Sequence, residues 1–181
     1  SLQLVASMFS LQATATQNAE LTQSLQEATS RVTAVARIHE RLYRTADIGT
    51  VDLASYLADI CEDLAGLAPQ CEVKYEPAGP IPIATDRAVR VALLLTELMT
   101  NAAKHAYPEG RQGHVTVRLV RADEETVRLT VRDQGKGLPT AFDIERSGGL
   151  GLKIVRALLT QTGATLSIHR HQPGSEFVID F

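Results

Sequence analysis

Glu97-Leu98-Met99-Thr100-Asn101-Ala102-Ala103-Lys104-His105 is the stretch on which the reading of this chain turns. It sits in a run, 85–107, that no Gly or Pro interrupts, and Val91, Leu93, Leu94, Leu95 and Leu98 supply the apolar positions of a buried helix. Glu97, Asn101, Lys104 and His105 follow one another at steps of four, three and one, which places all four on one helical face. A charged and amide stripe is costly to bury without partners. It therefore faces either water or a polar ligand.

Two glycine-rich segments downstream point to the ligand. Asp133-Gln134-Gly135-Lys136-Gly137 follows the alternating run 126–132, in which Val127, Leu129 and Val131 share one face. Asp133 continues their parity, so a carboxylate points toward the apolar layer at the strand's end. Gly135 and Gly137 let the backbone turn sharply or approach a ligand closely. The second segment, Ser147-Gly148-Gly149-Leu150-Gly151-Leu152, opens a helix over 151–162. Free N–H groups and the helix dipole at such a start favour an anion such as phosphate. Each segment alone reads more readily as an ordinary turn or loop, and the stripe as a solvated helix face. Their order, each at an element boundary, is what joins them.

Taken together, these residues resemble the ATP-binding domain of sensor histidine kinases, in the wider group with gyrase B, Hsp90 and MutL. Glu97-x-x-x-Asn101 resembles the N box, Asp133-x-Gly135-x-Gly137 the G1 box, and Gly149-Leu150-Gly151-Leu152 the G2 box. The stretch from Gly174-Ser175 to Phe181 resembles the closing strand, with Ser175 in place of a common Thr. The resemblance implies ATP and Mg²⁺ as cofactors. Asn101 would give an amide oxygen to Mg²⁺, a hard ion that prefers oxygen ligands. Glu97 would orient or deprotonate the attacking group, or hold a metal-bound water. Lys104 and His105 would lie near the phosphates; for His105 a helix-terminal cation favoured by the dipole is the alternative. Asp133 would accept a hydrogen bond from the adenine amino group. Gly135 and Gly137 would admit the base, and Gly149, Leu150, Gly151 and Leu152 would form the phosphate loop. Residues 138–147 would be a short lid, with Phe142 its only aromatic residue, implying transient nucleotide retention.

The amino-terminal part is organised differently. Over 1–17, Leu4, Met8, Leu11 and Ala15 form one apolar stripe and Leu2, Val5, Phe9 and Ala13 another. After a polar break at Thr16-Gln17-Asn18, Leu21, Leu25, Ala28, Val32, Val35, His39 and Leu42 alternate steps of four and three, a heptad seam. Two such helices make an antiparallel hairpin with apolar surface to spare. A second hairpin, giving a homodimer, or the rest of the chain should cover it. This part resembles the HisKA_2 group: Ser1-Leu2-Gln3 resembles the run just after that group's phosphoacceptor histidine, and Arg37-Ile38-His39-Glu40-Arg41-Leu42-Tyr43 the end of its second helix. In that group a His-Arg-x-Lys-Asn motif comes first, so the acceptor is expected just upstream of Ser1, or absent from the protein. His39-Glu40 is read as a seam pair, not as the phosphorylation site. His114, His169 and His171 lack zinc spacing and are read as surface residues.

The expected fold is a two-layer α/β (α+β) sandwich of the Bergerat type, a mixed sheet with helices on one face, over 47–181, preceded by the hairpin, 1–46. Strands are expected at 72–75 and 81–83, edge-like because Pro80 and Pro82 limit pairing, at 114–120 and 126–132 as a hairpin, and at 164–169 and 176–181. Asp52 is expected to cap a helix ending at 67, and Pro108 and Gly110 to stop the stripe helix.

Composition bounds the rest. The 181 residues are 44% hydrophobic, with 18 Lys and Arg against 21 Asp and Glu. A net charge of −3 with mixed signs gives no case for nucleic acid. No apolar run reaches transmembrane length. Cys61 and Cys71 are expected as free thiols in a reducing compartment, the cytoplasm. The reading is a histidine kinase core that passes the ATP γ-phosphate to a histidine and then to a response-regulator aspartate. A kinase-inactive phosphatase or docking relative and an anti-sigma-factor-type serine kinase are the alternatives.

Overall fold

The computed structural model describes residues 2–45, 49–67, 70–108, 111–147 and 149–181. Ser1, the connection at 46–48 that carries the expected domain boundary, Gly110 and Gly148 lie outside the described residues, as do the side chains of Arg41, Tyr43, Arg44, Thr45 and Leu67. The chain divides into two units, Ser1–Ile48 and Gly49–Phe181.

In the first unit, α1 (Leu2–Ala15) and α2 (Ala19–Thr45) pack as a hairpin. The polar break works as a cap: Asn18 Oδ1 accepts the N–H groups of Glu20 and Leu21 at 3.0 and 3.1 Å, satisfying donors the helix start leaves open. Of the two stripes on α1, Ala13 is buried and Phe9 half-buried in one, with Leu2 and Val5 exposed, whereas Leu4, Met8 and Leu11 of the other are 64%, 54% and 69% exposed. On α2 the seam residues Leu25, Ala28, Val32 and Val35 are half-buried. The seam then departs from expectation: Ile38 is buried and His39 is exposed. Both lie one turn beyond Val35. Burying an isoleucine is favourable, while burying an imidazole forfeits its hydration.

The second unit contains β1 (Thr50–Asp52), α3 (Leu53–Leu67), β2 (Cys71–Pro77), β3 (Pro82–Ala84), α4 (Thr85–Asn101), a π turn (Ala102–Ala106), β4 (Gly113–Arg121), β5 (Val127–Asp133), α5 (Leu150–Thr162), β6 (Thr165–Arg170) and β7 (Ser175–Asp180). Five strands form one mixed sheet in the order β2-β4-β5-β7-β6, with β2 and β4 parallel and the other pairs antiparallel. β3 is not in it; the prolines leave β3 to a separate two-stranded ladder with β1. β2 runs through Pro77, longer than expected, because as an edge strand it has only one partner to satisfy.

Alternation decides the layers. Val115, Val117, Leu119, Leu129, Val131 and Ile179 are buried on one face of the sheet, where α3, α4 and α5 supply Leu53, Leu57, Val91, Leu94, Leu95 and Val155. Each fully buried leucine removed to alanine would cost about 2–5 kcal/mol. Asp52 ties the small ladder to this layer. Its carboxylate accepts the N–H groups of Ala54 and Ser55 at 3.2 Å, capping α3 as expected, and that of Ile81 at 2.7 Å. Burial pushes the Asp52 carboxyl up, but hydrogen bonds from the Ser55 hydroxyl and these backbone groups outweigh it and hold it below the usual carboxylate range.

Candidate functional site

The stripe helix does not stay α-helical to its end. Glu97 is buried and Asn101 half-buried on α4, but Lys104 and His105 lie in the π turn and are exposed. A face reckoned at 3.6 residues per turn does not carry through a wider turn. The π turn delivers the Ala106 carbonyl to Lys136, whose N–H donates to it at 2.8 Å. A Cβ at position 135 would stand 2.2 Å from that same oxygen, so Gly135 is the contact point between the helix end and the loop after β5.

Tyr107 fastens the junction, and no sequence pattern singled it out. Its ring lies against Gly113, its hydroxyl donates to the His114 carbonyl at 2.5 Å, and the Gln134 N–H donates to it at 2.9 Å. One side chain thus ties the end of the stripe helix to the starts of β4 and of the glycine loop.

Asp133 is buried at the end of β5, on the inner face that its parity predicted. Its Oδ1 accepts the Gly135 N–H at 2.9 Å and its Oδ2 the Ser175 hydroxyl at 2.5 Å. The two residues meet because β5 and β7 are antiparallel with Arg132 opposite Glu176, which brings the next positions, Asp133 and Ser175, together. Gly174, at φ +102°, makes the approach possible: a Cβ there would lie 2.0 Å from the Asp133 carbonyl oxygen. An ionised carboxylate has about four acceptor sites. Two donors are in place, so Asp133 keeps acceptor capacity for a further donor.

Helix α5 packs beside α4. Gly149 is its N-cap, with no side-chain hydrogen bond at the cap. Its backbone (φ −64°, ψ 141°) suits any residue, and nothing lies within 4 Å of a Cβ built there. Neither torsion nor crowding inside the protein asks for glycine at 149. Leu150 is 52% exposed, Leu152 half-buried and Gly151 buried. Among the described residues, no group of three His, Cys, Asp or Glu side chains could hold a metal by itself. A Mg²⁺ here would draw most of its oxygens from phosphate and water, which suits an ion that dehydrates reluctantly. Of the other histidines, His114 and His169 are exposed, whereas His171, expected at the surface, is half-buried with Nε2 3.5 Å from Glu176. Its place in the turn before β7 draws it in.

Comparison with known proteins joins this geometry to a family. Residues 1–68 match the HisKA_2 family, described as histidine kinase, and residues 86–181 the family described as histidine kinase-, DNA gyrase B-, and HSP90-like ATPase. A sensor histidine kinase, PdtaS, of Mycolicibacterium smegmatis is 32% identical over 98% of this chain and 36% of its own length. Blue-light-activated histidine kinase 2 of Erythrobacter litoralis is 32% identical over 72% of the chain and 38% of its own. The chain thus spans little more than a third of the length of these two relatives. In structure, the histidine kinase domain of the blue-light-activated kinase EL346 from Erythrobacter litoralis superposes with a TM-score of 0.74 at 27% identity, covering 99% of this chain and 84% of that one. No described helix is long and apolar enough to cross a membrane. The chain belongs to the histidine kinase family, with a HisKA_2 helical hairpin ahead of an ATP-binding domain of the histidine kinase, gyrase B and HSP90 kind.

Proposed function

We propose that this chain is the catalytic core of a two-component sensor kinase that binds Mg-ATP and donates its γ-phosphate to a histidine. The observation that carries the reading is Asp133: a buried carboxylate with both oxygens engaged by fixed donors and acceptor sites to spare. That arrangement reads an exocyclic amino group such as adenine's and rejects a base that presents a carbonyl there. Gly149 and the uncapped start of α5 are the place for phosphate, through backbone N–H groups and the helix dipole. Gly151, Leu150 and Leu152 shape that turn. Gly137 closes the adenine side, and Lys104 and His105, as exposed cations or donors, flank the phosphates.

Asn101 is the amide ligand proposed for Mg²⁺, which when bound neutralises phosphate charge. Glu97, one turn earlier, orients the acceptor histidine and takes its proton as the N–P bond forms and the bond to the β-phosphate oxygen breaks. The acceptor proposed is the histidine of the His-Arg-x-Lys-Asn motif that the HisKA_2 resemblance expects just before the run Ser1-Leu2-Gln3, in preference to this chain's own histidines. The phosphoryl group then passes to an aspartate of a response regulator. The exposed Leu4, Met8 and Leu11 support a homodimer through the hairpin. Cys61 and Cys71 are free and buried, in keeping with a reducing, ATP-containing cytoplasm.

Titration calorimetry with ADP, GDP and AMP, with and without Mg²⁺, tests the reading. ADP should bind with Mg²⁺, and GDP about 5- to 150-fold more weakly, since leaving a buried polar group unpaired costs about 1–3 kcal/mol. Equal affinity for ADP and GDP rejects the role of Asp133.

A further inference from the structure

Residues 139–147, in the segment that the resemblance makes a lid, form two consecutive turns. In the first, the Phe142 N–H donates to the Pro139 carbonyl at 2.9 Å. In the second, Asp143 is the hub: its carbonyl accepts the N–H groups of Arg146 and Ser147 at 3.2 and 3.0 Å, and its Oδ1 accepts the Glu145 N–H at 2.9 Å. Each turn is held from outside by one arginine. Arg170, at the end of β6, directs Nη2 at the carbonyls of Pro139, Thr140 and Phe142, at 3.5, 3.3 and 3.2 Å. Arg156, on α5, donates Nη1 to the carbonyls of Ile144 and, at 3.2 Å, Ser147.

In each arginine one terminal nitrogen meets the carbonyls, Nη1 of Arg156 two and Nη2 of Arg170 three; a lysine would bring a strongly hydrated ammonium on a shorter, more flexible stem and hold them less firmly. The placement has a mechanical consequence. Arg156 lies on the helix whose N-terminus is assigned to phosphate, and β6 pairs with β7, which begins at Ser175, the partner of Asp133. The two turns are therefore fastened to the elements that carry the proposed phosphate and adenine ends of the site.

We propose that Arg156 and Arg170 are positioning residues that latch residues 139–147 in place and thereby set the residence time of the nucleotide. The latch rests on the nucleotide reading above. A short lid does not mean a loose one here: it is pinned at both turns, and release of ADP requires at least the Arg156 contacts to break.

The test uses the full chain and a fluorescent N-methylanthraniloyl ADP with Mg²⁺. Displacement by excess ADP in stopped flow gives the dissociation rate. Arg156→Ala should release the analogue about tenfold faster, the scale of losing hydrogen bonds to a charged group. Arg170→Ala should do so less, since its contacts are longer and the side chain is exposed. Arg156→Lys should recover only part of the loss. Hydrogen exchange without nucleotide supplies an independent readout: amides of Arg146 and Ser147 should exchange faster in Arg156→Ala, and that of Phe142 in Arg170→Ala, while those of β5 do not change. If the unmodified chain holds the analogue and Arg156→Ala releases it at the same rate, the latch is wrong. If the unmodified chain does not bind the analogue, the nucleotide reading fails, and lid exchange alone then decides the latch: unchanged exchange overturns it.

Discussion

The Ser175 hydroxyl donates to Asp133 Oδ2 at 2.5 Å, both residues buried, across the junction of β5 and β7. The bond makes a testable pair. Asp133→Asn keeps the shape but replaces one acceptor oxygen by a donor. ADP affinity should fall about 10- to 100-fold, the range for a hydrogen bond to a charged group. Ser175→Ala should also weaken binding, and Ser175→Thr, which keeps the hydroxyl, should weaken it less than Ser175→Ala. Calorimetry showing unchanged ADP affinity for Asp133→Asn removes this residue from the adenine site.

Two glycines that look alike in sequence should fail differently. Gly135→Ala places a methyl against the Ala106 carbonyl, at a separation of 2.2 Å before relaxation. Overpacking against backbone costs about 1–3 kcal/mol or more, so thermal melting should shift downward even without nucleotide. Gly149→Ala meets nothing within 4 Å and keeps an allowed backbone. Its melting should match the unmodified chain while its affinity for ADP falls. A Gly149→Ala chain that binds ADP normally shows that no phosphate approaches there.

The contrast marks what could be read in advance. Parity along a strand has a period of two, so the inward carboxylate of Asp133 was legible from Val127, Leu129 and Val131. The cap at Asp52 was legible because a side-chain oxygen before a helix has few other uses. The π turn was not: Ala102-Ala103-Lys104-His105-Ala106 is as good a sequence for an α-helix, and only the distant contact with Gly135 and Lys136 selects the wider turn. Hence Gly135 was read as a place for a sharp turn or the approach of a ligand, while the contact with Ala106, on the side where a Cβ would stand, was not foreseen. Tyr107 and the two lid arginines were invisible for the same reason, since each acts on backbone atoms far along the chain. His39 entered the seam because steps of three and four both preserve a heptad, and Ile38 took the buried place.

Asp52 makes a part of the fold's stability depend on pH. Its carboxyl is held below the usual range, so it contributes stability that is present above the unfolded value near pH 4 and lost as pH falls through the lower, folded value. Asp52→Ala should lower stability at pH 7 by about 1 kcal/mol, the typical worth of a helix cap. The gap between variant and parent should close at the lowest pH at which both still fold. Urea melts at several pH values check this; a gap that does not change with pH assigns the effect to shape and not to charge.

The proposed dimer rests on exposed apolar side chains on α1. Leu4 and Leu11 are 64% and 69% exposed, so their replacement should leave the hairpin intact. Light scattering should give a dimer for the parent chain and a monomer for Leu4→Glu combined with Leu11→Glu, with helical content unchanged by circular dichroism. Val32→Glu and Val35→Glu, at half-buried seam positions, should disturb the hairpin itself. A parent chain that is already monomeric rejects the dimer.

Phosphoryl transfer should separate from nucleotide binding. Catalysis of this step is mostly positioning of the nucleophile and neutralisation of charge, so a histidine away from the in-line position gains little from a nearby metal. His39 is exposed on α2, outside the buried seam, and its sequence neighbours resemble the end of a second helix, not an acceptor site. The chain as given should therefore bind ATP yet take no label from γ-phosphate-tagged ATP. Adding a His-Arg-x-Lys-Asn segment before Ser1 should produce label with the acid lability and base stability of a phosphohistidine, because it supplies the proposed acceptor. In that extended chain Glu97→Ala should abolish labelling while leaving ADP affinity within about threefold, since Glu97 is assigned to the acceptor and not to the nucleotide; about threefold is the effect of some 0.6 kcal/mol. Asn101→Ala should abolish labelling and also remove the dependence of ADP binding on Mg²⁺. Label on the chain as given, lost in His39→Ala, would reverse the assignment of the acceptor.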